Sequence, residues 1–473
     1  MQRDIEQMAR VLSDGGVRRG DRIAFLGLNQ PAFFQTMFAA SQLGAIFVPL
    51  NYRLTPAELT FILVDAGAHT VVVDEAHQAA VDAVTRVLPI RQQLIVEGIV
   101  STSEHVQQGD RDLASCLGGS EDVALLMYTS GTTGSPKGAM LTNANLWWNN
   151  TSALHTLDIR DTDVTLVFAP LFHIGGLNVT TLLTWQCGGE VVLHPGFDVD
   201  ACLDDIARYG VSTLFGVPTH FTEISQSPRF EDCDLGTVRL IVCGGAPVPS
   251  TLIERYRARG ISIQQGYGLT ETAPLVSFLT PEWSLDKLGS AGRPVMFTDV
   301  KILTSSGEQA EPQVKGEIVV RGPNVMKGYW NRLDATDATV DSEGWFHTGD
   351  VGFADEDGFL FVVDRLKDMI ITGGENVYPA EVENVLARHP ALLDVAVIGV
   401  PDVRWGEAIV AVVTLAPNES CTLESMRDFG QSRLAKYKLP TRLEVVDLLP
   451  RNPAGKVLKE ELRRLFASPQ VLA

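Results

Sequence analysis

The chain has 473 residues, of which 45% are apolar and 20% charged, and its formal net charge is −20. That length exceeds one ordinary core and predicts at least two domains, while the acidic charge argues against nucleic-acid binding, which needs a basic face. The six cysteines form no C-x-x-C pair, and there is neither a secretory signal nor an apolar run long enough for a transmembrane helix. We therefore expect a cytoplasmic protein with reduced thiols; peripheral membrane contact stays open.

The first half of the chain alternates short β-branched runs with helical patterns. This rhythm favours parallel sheets covered by helices. The predicted strands are residues 22–28, 45–50, 70–74, 165–169, 189–194, 213–216 and 240–243, and the clearest predicted helices are 31–43 and 58–66.

The character of the sequence changes after Gly289. Short alternating segments at 300–303, 316–321 and 359–363 predict a small antiparallel sheet or barrel-like subdomain. A compact α+β pattern comes next, with helices at 379–388 and 423–434 and strands at 395–400 and 409–415. We place an N-terminal domain at 1–364, a hinge at 365–368 and a C-terminal domain at 369–473.

The strongest chemical signal is the segment Tyr-Thr-Ser-Gly-Thr-Thr-Gly-Ser-Pro-Lys-Gly at residues 128–138. It follows an apolar run and precedes a helix-like stretch. Glycines let the backbone approach a phosphate, and amides, hydroxyls and Lys137 stabilise its charge. No Gly-Lys-Ser/Thr closes it, so it is not a Walker A loop. The alternative interpretation is a mobile surface turn.

A second segment, Gln-Gly-Tyr-Gly-Leu-Thr-Glu-Thr, occupies residues 265–272. Tyr267 could stack on a purine, Thr270 could reach a phosphate, and Glu271 could bind Mg²⁺. The third glycine of a Rossmann fingerprint is missing. A structural turn is the alternative.

A third segment, Gly-Trp-Phe-His-Thr-Gly-Asp at 344–350, is followed after fourteen residues by Arg365. Asp350 could accept both ribose hydroxyls with Arg365 supporting it, or it could simply cap a turn.

The fourth segment, Arg-Asn-Pro-Ala-Gly-Lys-Val-Leu at 451–458, places Lys456 on a glycine-containing turn. Taken alone, Lys456 would be interpreted as a solvated charge on the surface.

Together, in this order and spacing, the four segments resemble the adenylate-forming superfamily: acyl-CoA synthetases, firefly-type luciferases and adenylation domains of peptide synthetases. The resemblance covers about residue 20 to residue 460. Residues 289–294, 364–381 and 451–456 are most similar to free-standing fatty-acyl-CoA synthetases of actinobacteria. The resemblance implies an α/β fold, with a large N-terminal domain of parallel-rich sheets, a small β subdomain and a small α+β C-terminal domain that rotates about the hinge.

The resemblance also implies an activity. ATP and Mg²⁺ would convert a small-molecule carboxylic acid into an acyl-adenylate, and coenzyme A would then accept the acyl group. A carboxylate attacks an anionic phosphate poorly, and Mg²⁺, Lys137 and Lys456 would neutralise that charge. Family members usually have an opening strand and helix before the helix that begins here near Arg3. We interpret the short start as a truncation or a misassigned start codon.

The resemblance gives individual residues their roles. The β- and γ-phosphates would be bound by Thr129, Ser130, Gly131, Thr132, Thr133, Gly134 and Lys137. The AMP moiety and the start of the acyl pocket would be lined by Gly244, Gly245, Ala246, Gly266, Tyr267 and Gly268. Thr270 would contact the α-phosphate, Glu271 the Mg²⁺, and Asp350 with Arg365 the ribose. Lys456 would bridge the substrate carboxylate and the α-phosphate. His173 would lie beside the acyl group, Lys367 would be the hinge residue, and Gly373 and Gly374 would line the pantetheine channel.

The candidate acyl-pocket residues are small or apolar: Ile174, Gly175, Gly176 and Gly216. No cation occurs among them or their immediate neighbours in the chain, which argues against a dicarboxylic acid whose second charge would be buried unpaired. The sequence therefore predicts an uncharged aliphatic acid of medium or longer chain. The alternative is that these glycines serve only backbone conformation.

Other functions stay open at this point. They are a ligase for an aromatic or sterol-side-chain acid, an acyl-AMP ligase that loads a carrier protein, and a catalytically dead binding homologue. Nothing in the sequence predicts an oligomeric state.

Overall fold

The structure is a computed structural model that describes residues 1–96, 118–129, 136–246, 248–284, 286–373, 375–431, 433–451 and 457–467. Two compact units are present. The first contains residues 1–300, 319–347 and 358–360, and the second contains 301–318, 348–357 and 361–473. The chain thus passes between the units several times, whereas the sequence suggested one cut at residues 365–368. The hinge at those residues stays a prediction.

The helices of the described residues are α1 (Gln2–Asp14), α2 (Pro31–Gln42), α3 (Pro56–Ala66), α4 (Gln78–Thr85), α5 (Asn143–Leu157), α6 (Ile174–Asn178), α7 (Thr181–Cys187), α8 (Val199–Tyr209), α9 (Pro218–Gln226), α10 (Ser250–Ala258), α11 (Leu333–Asp337), α12 (Pro379–Leu386), α13 (Leu423–Gly430) and α14 (Lys459–Phe466). None of them is both long and apolar enough to cross a lipid bilayer.

The strands are β1 (Arg22–Leu26), β2 (Ile46–Leu50), β3 (Thr70–Val73), β4 (Gln92–Ile95), β5 (Val123–Thr129), β6 (Lys137–Thr142), β7 (Val164–Val167), β8 (Glu190–Leu193), β9 (Thr213–Gly216), β10 (Leu240–Gly244), β11 (Ile263–Gly268), β12 (Leu275–Phe278), β13 (Arg293–Pro294), β14 (Asp299–Leu303), β15 (Gly316–Arg321), β16 (Gly328–Tyr329), β17 (Phe346–Ala354), β18 (Leu360–Arg365), β19 (Ile370–Thr372), β20 (Glu375–Val377), β21 (Leu392–Asp402), β22 (Gly406–Leu415) and β23 (Arg442–Val445).

The first unit is built on two seven-stranded sheets. One has the order β16-β6-β5-β2-β1-β3-β4 and the other β13-β12-β11-β10-β9-β7-β8. The central pairs in both are parallel, and antiparallel strands complete one edge of each. Every residue of β2 and β3 is buried, as expected for parallel strands covered on both faces. The predicted parallel-rich α/β fold is confirmed.

The second unit contains most of a four-stranded sheet, β14-β15-β17-β18, and a sheet in which β20, β19, β22 and β21 are neighbours and β23 pairs with β22. β21 and β22 form a long antiparallel hairpin, and α12, α13 and α14 accompany it in sequence. This is the small α+β pattern that the sequence predicted.

Several predicted boundaries need correction. The helix expected at 423–434 ends at Gly430, and the helix expected at 379–388 ends at Leu386. The strand expected at 395–400 is longer, Leu392–Asp402, because its whole length is paired with β22.

Candidate active site

The segment at 128–138 joins two antiparallel strands. Thr129 ends β5, Lys137 begins β6, and the two residues are partners in the ladder. The helix-like stretch expected after this segment is α5, which begins at Asn143 once β6 has ended. The Lys137 ammonium nitrogen lies 5.2 Å from the centre of the Tyr329 ring. The predicted phosphate residues Ser130, Gly131, Thr132, Thr133 and Gly134 lie outside the described residues.

The predicted AMP-binding glycines lie at the carboxyl ends of two adjacent parallel strands. β10 ends at Gly244, which pairs with Gly266 of β11, and Gly245 and Ala246 follow β10 directly. Ligands of open α/β sheets bind outside these strand ends. Half-buried Tyr267 comes next in β11.

Gly268, the last residue of β11, is required by packing. A Cβ atom there would lie 1.7 Å from the Pro274 carbonyl oxygen, a contact that no side chain could make. The chain then enters a short 3₁₀ turn, Thr270–Thr272. This turn places the half-buried Thr270 and the buried Glu271 directly after the strand.

Glu271 is held by two hydroxyl groups that are distant in sequence. Its Oε1 accepts a hydrogen bond from Tyr329 Oη at 2.9 Å and a longer one from Thr129 Oγ1 at 3.4 Å. Among the residues described, no donor reaches Oε2. The structure therefore brings the predicted metal ligand to the predicted phosphate segment.

This arrangement fits a Mg²⁺ ion that arrives with ATP. Such an ion usually takes one or two carboxylates together with substrate phosphates rather than an all-protein cage. Glu271 supplies one carboxylate, whose Oε2 accepts no hydrogen bond from the described residues. Over the described part of the chain, no group of three or more His, Cys, Asp or Glu side chains could hold a metal by itself.

His173 directly precedes α6 in the first unit. Burial among surrounding groups, with a smaller contribution from the Arg53 charge, lowers the pKa of His173 to about 4, so the ring is neutral at pH 7. The side chain is nevertheless exposed. The Phe172 ring is 4.5 Å from it, and Tyr52 packs edge-on against Phe172 at 5.5 Å.

Arg53 corrects the expectation that no cation is near the acyl site. It follows β2, stacks over the Tyr52 ring at 5.2 Å and donates a hydrogen bond to Tyr52 Oη at 3.1 Å. Burial is the larger cause of the lowered pKa of His173 and His220, and the Arg53 charge lowers the pKa of both further. The exclusion of dicarboxylic acids, which considered only residues adjacent in sequence, is therefore not supported.

The candidate pocket glycines have different surroundings. A Cβ at Gly176 would lie 2.4 Å from the Pro170 carbonyl oxygen, so this glycine serves close backbone packing and does not widen a tunnel. A Cβ at Gly216 would lie 3.0 Å from the Phe221 ring. At Gly175, a Cβ would lie 2.7 Å from Cζ of Phe215, whose ring fills the space of the missing side chain. Ile174, at the start of α6, is buried in the main core cluster.

Models of two known families match most of this chain. The AMP-binding enzyme model matches residues 1–330, and the model of the AMP-binding enzyme C-terminal domain matches residues 381–456. The chain belongs to the AMP-binding enzyme family.

Several characterised members of this family are similar over nearly the whole chain. Feruloyl-CoA synthase of an Amycolatopsis species is 47% identical over 98% of this chain and 93% of its own length. Long-chain-fatty-acid–CoA ligase of Mycobacterium tuberculosis H37Rv is 38% identical over 97% and 91%. The structure of Bacillus subtilis o-succinylbenzoate CoA synthetase with its acyl-adenylate intermediate has a TM-score of 0.88, at 36% identity over 97% and 91%. This AMP-binding enzyme is accordingly an acid–thiol ligase that uses ATP, Mg²⁺ and coenzyme A, as the sequence predicted.

The second unit of this AMP-binding enzyme pairs the predicted ribose residues. Asp350 is 4% exposed and lies within β17, so the interpretation of it as a turn cap is wrong. Arg365 ends β18, and its Nε lies 2.6 Å from Asp350 Oδ1. A second guanidinium nitrogen of Arg365 donates to the Thr348 carbonyl at 3.3 Å. These contacts hold the Asp350 carboxylate in one orientation.

The remaining predicted residues of the second unit are partly described. Lys367 lies in the 3₁₀ turn Leu366–Asp368 that follows β18. Gly373 has a φ of +60° and packs against the Trp405 ring. Lys456 and Gly374 lie outside the described residues.

Sequence reasoning missed two residues that the structure places at the site: Arg53 and Tyr329. Tyr329 is preceded by Gly328 and followed by Trp330, and this Gly-aromatic-aromatic run is a local signal. Arg53 has no comparable signal, because only tertiary packing brings it near His173.

Proposed function

We propose that this ligase acts on an aromatic carboxylic acid, converting the acid, ATP and CoA into the acyl-CoA, AMP and pyrophosphate. The observation that carries the proposal is the contact between Phe215 and Gly175, two residues after His173. There the Phe215 ring fills the side-chain space of Gly175 at the start of α6.

The Phe215 ring is suited to contact another ring. It is half-buried on β9, and it also approaches Gly244, since a Cβ there would lie 3.8 Å from it. Rings prefer offset or edge-on contacts with one another, which contribute about 0.5–1.5 kcal/mol beyond their area. The names of two similar enzymes, feruloyl-CoA synthase and o-succinylbenzoate CoA synthetase, also indicate aromatic acids.

We propose the following roles in the chemistry. The acid's carboxylate attacks the α-phosphorus of ATP, pyrophosphate leaves, and the CoA thiol then displaces AMP from the mixed anhydride. Lys137, with Thr129 and the loop between them, binds the phosphates of ATP, and Thr270 contacts the α-phosphate. Lys456 stabilises the charge that develops during the attack. Glu271 would hold Mg²⁺, which neutralises phosphate charge.

The other assignments are part of the same proposal. Tyr267 and the strand-end glycines contact the adenine, Asp350 with Arg365 binds the ribose hydroxyls, and Gly373 with Gly374 borders the pantetheine. The proposed location is the cytoplasm, since the five cysteines of the described residues are free thiols, the state typical of a reducing compartment.

A panel of acids tests the substrate class. We expect kcat/KM to be highest for a ring-bearing acid such as ferulate, cinnamate, indoleacetate or 2-succinylbenzoate. Phe215→Leu should lower kcat/KM for that acid about three- to tenfold, because it removes the ring contact but keeps apolar volume. Phe61→Leu, at a 36% exposed phenylalanine on α3, is the matched control.

A medium- or long-chain aliphatic acid is the second candidate. It is favoured by the similar long-chain-fatty-acid–CoA ligase and by the apolar character of Ile174 and its neighbours. In that case kcat/KM should rise with chain length, by about 0.8 kcal/mol per buried methylene, until the tunnel ends. Such a profile, with ring-bearing acids at the bottom of the panel, would overturn the aromatic proposal and leave the ligase chemistry unchanged.

A further inference from the structure

A segment that the motif analysis did not single out, residues 322–332, connects the phosphate hairpin to the turn that carries Glu271. We call it the bridging segment. It lies between β15 and α11 and contains β16. All the contacts described next lie within the first unit.

The bridging segment is bound to the strand that begins at Lys137. β16 pairs antiparallel with β6, with Tyr329 opposite Ala139. The backbone amides of Lys327 and Trp330 donate to the carbonyls of Met140 and Gly138 at 3.0 and 2.8 Å. The position of Tyr329 along β6 is therefore fixed by ladder hydrogen bonds.

The same segment is bound to the turn at 270–272. The Met326 amide donates to the Glu271 carbonyl at 2.8 Å. The Asn324 side-chain amide, 1% exposed, donates to the carbonyls of Thr272 and Leu275 at 3.0 and 2.8 Å. The backbone of Glu271 is therefore tied to the same segment that carries Tyr329.

The Tyr329 side chain completes the connection. It is 8% exposed, its hydroxyl donates to Glu271 Oε1 at 2.9 Å, and its ring lies 5.2 Å from the Lys137 ammonium nitrogen. A hydrogen bond to one oxygen fixes the rotation of a carboxylate and leaves the other oxygen for a metal. Hydrogen-bond partners of metal ligands typically change metal affinity or activity 10- to 100-fold when they are removed.

We propose that Tyr329 is a positioning residue for Mg²⁺·ATP. It orients the Glu271 carboxylate towards the metal and holds that carboxylate at a fixed position relative to Lys137. This inference rests on the proposed role of Glu271 as a metal ligand, and it is independent of which acid the enzyme uses. Tyr329 touches neither the acid nor the phosphates in this account. It acts through Glu271.

Tyr329→Phe tests the proposal because it removes one oxygen atom and keeps the ring. ATP binding is measured by calorimetry across a Mg²⁺ titration, without acid or CoA, so that the readout does not depend on turnover. We expect the Mg²⁺ concentration for half-maximal ATP binding to rise about tenfold, with metal-free ATP binding unchanged. Tyr256→Phe is the matched control, since Tyr256 is also a buried tyrosine whose hydroxyl donates one hydrogen bond, to the Phe221 carbonyl at 2.9 Å.

A double-mutant cycle with Glu271→Gln separates the two claims. If Tyr329 acts through Glu271, Tyr329→Phe adds no further shift in the Glu271→Gln background. An unchanged Mg²⁺ midpoint in Tyr329→Phe, or an equal shift in Tyr256→Phe, would overturn the positioning role. An unchanged midpoint in Glu271→Gln itself would overturn the assignment of the metal ligand, and the positioning role with it. The acid panel still decides the substrate class in either case.

Discussion

The neighbouring glycines 175 and 176 look alike in sequence and have different tasks. At Gly176 a Cβ would meet backbone carbonyls, and at Gly175 it would meet the Phe215 ring. The backbone cannot move aside, whereas the half-buried Phe215 ring can turn. A substitution at Gly176 is therefore expected to disturb folding and so to lower activity towards every acid. A substitution at Gly175 is expected to change which acids fit.

Lys456 allows the sharpest prediction at the scale of one residue. Lys456→Ala should abolish acid-dependent ATP–pyrophosphate exchange and leave thiolysis of a supplied acyl-adenylate nearly intact. The reason is that this lysine acts only while the α-phosphate is under attack. Single-turnover assays of both half-reactions provide the measurement, and equal losses in the two would contradict the role.

Some side-chain contacts could be predicted from sequence and others could not. The Asp350–Arg365 pair was predicted, because two complementary charges stand fifteen positions apart in recognisable segments. The contact between Glu271 and Tyr329 joins residues 58 positions apart, and the influence of Arg53 on His173 crosses a still longer distance in sequence. Neither can be deduced without knowing which strands are neighbours.

At the scale of elements, β6 was missed because its six residues, Lys137–Thr142, carry a glycine, an alanine and no strict alternation. The predicted strands of the parallel sheets were found because buried parallel strands are continuous apolar runs. What positions the site is then the pairing of β6 with β5 and β16. That pairing depends on the order of the strands in the sheet, which the residue pattern of a single strand does not give.

Asn29 connects two elements and gives a stability prediction. It is 5% exposed, its side-chain amide donates to the Ala169 carbonyl at 3.0 Å, and its side-chain oxygen accepts from the Leu171 amide at 2.9 Å. Asn29→Ala leaves both backbone groups without this partner and should lower the free energy of unfolding by about 2–3 kcal/mol. It should also raise KM for the acid, because His173 follows the released backbone by two residues.

Urea unfolding and steady-state kinetics measure these effects. Asn143→Ala is the control, since its side chain makes one exposed hydrogen bond, to the Gly119 carbonyl at 3.0 Å. A stability loss no larger than that of the control would show that Asn29 does not hold the loop before His173.

At the scale of the whole molecule, the two compact units were expected from length and composition, but their bounds were not. The chain enters the second unit at residue 301 and goes back to the first unit twice, at residues 319 and 358, before it enters the second unit finally at residue 361. Sequence composition changes near Gly289 and again near Arg365, and it gives no sign of these crossings, several of which fall inside single strands, such as those at 318–319 in β15, 347–348 in β17 and 360–361 in β18.

The hinge yields a prediction about domain rotation. Lys367→Pro should leave pyrophosphate exchange largely intact and block acyl-CoA formation, because proline fixes the φ angle that the rotation must change. Lys367→Ala, which removes the charge without fixing φ, should support both half-reactions. Acyl-CoA formation by Lys367→Pro at the wild-type rate would show that the turn Leu366–Asp368 is not the hinge.

The central claim is that this chain activates a carboxylic acid by adenylation before transferring it to a thiol. The most direct measurement is pyrophosphate exchange into ATP, with purified protein, Mg²⁺ and one acid at a time from the panel, followed by CoA addition and mass analysis of the products. The account predicts exchange that requires an acid, followed by acyl-CoA and AMP in equal amounts. Acyl-CoA accompanied by ADP and phosphate, or no exchange with any acid of the panel, would contradict it.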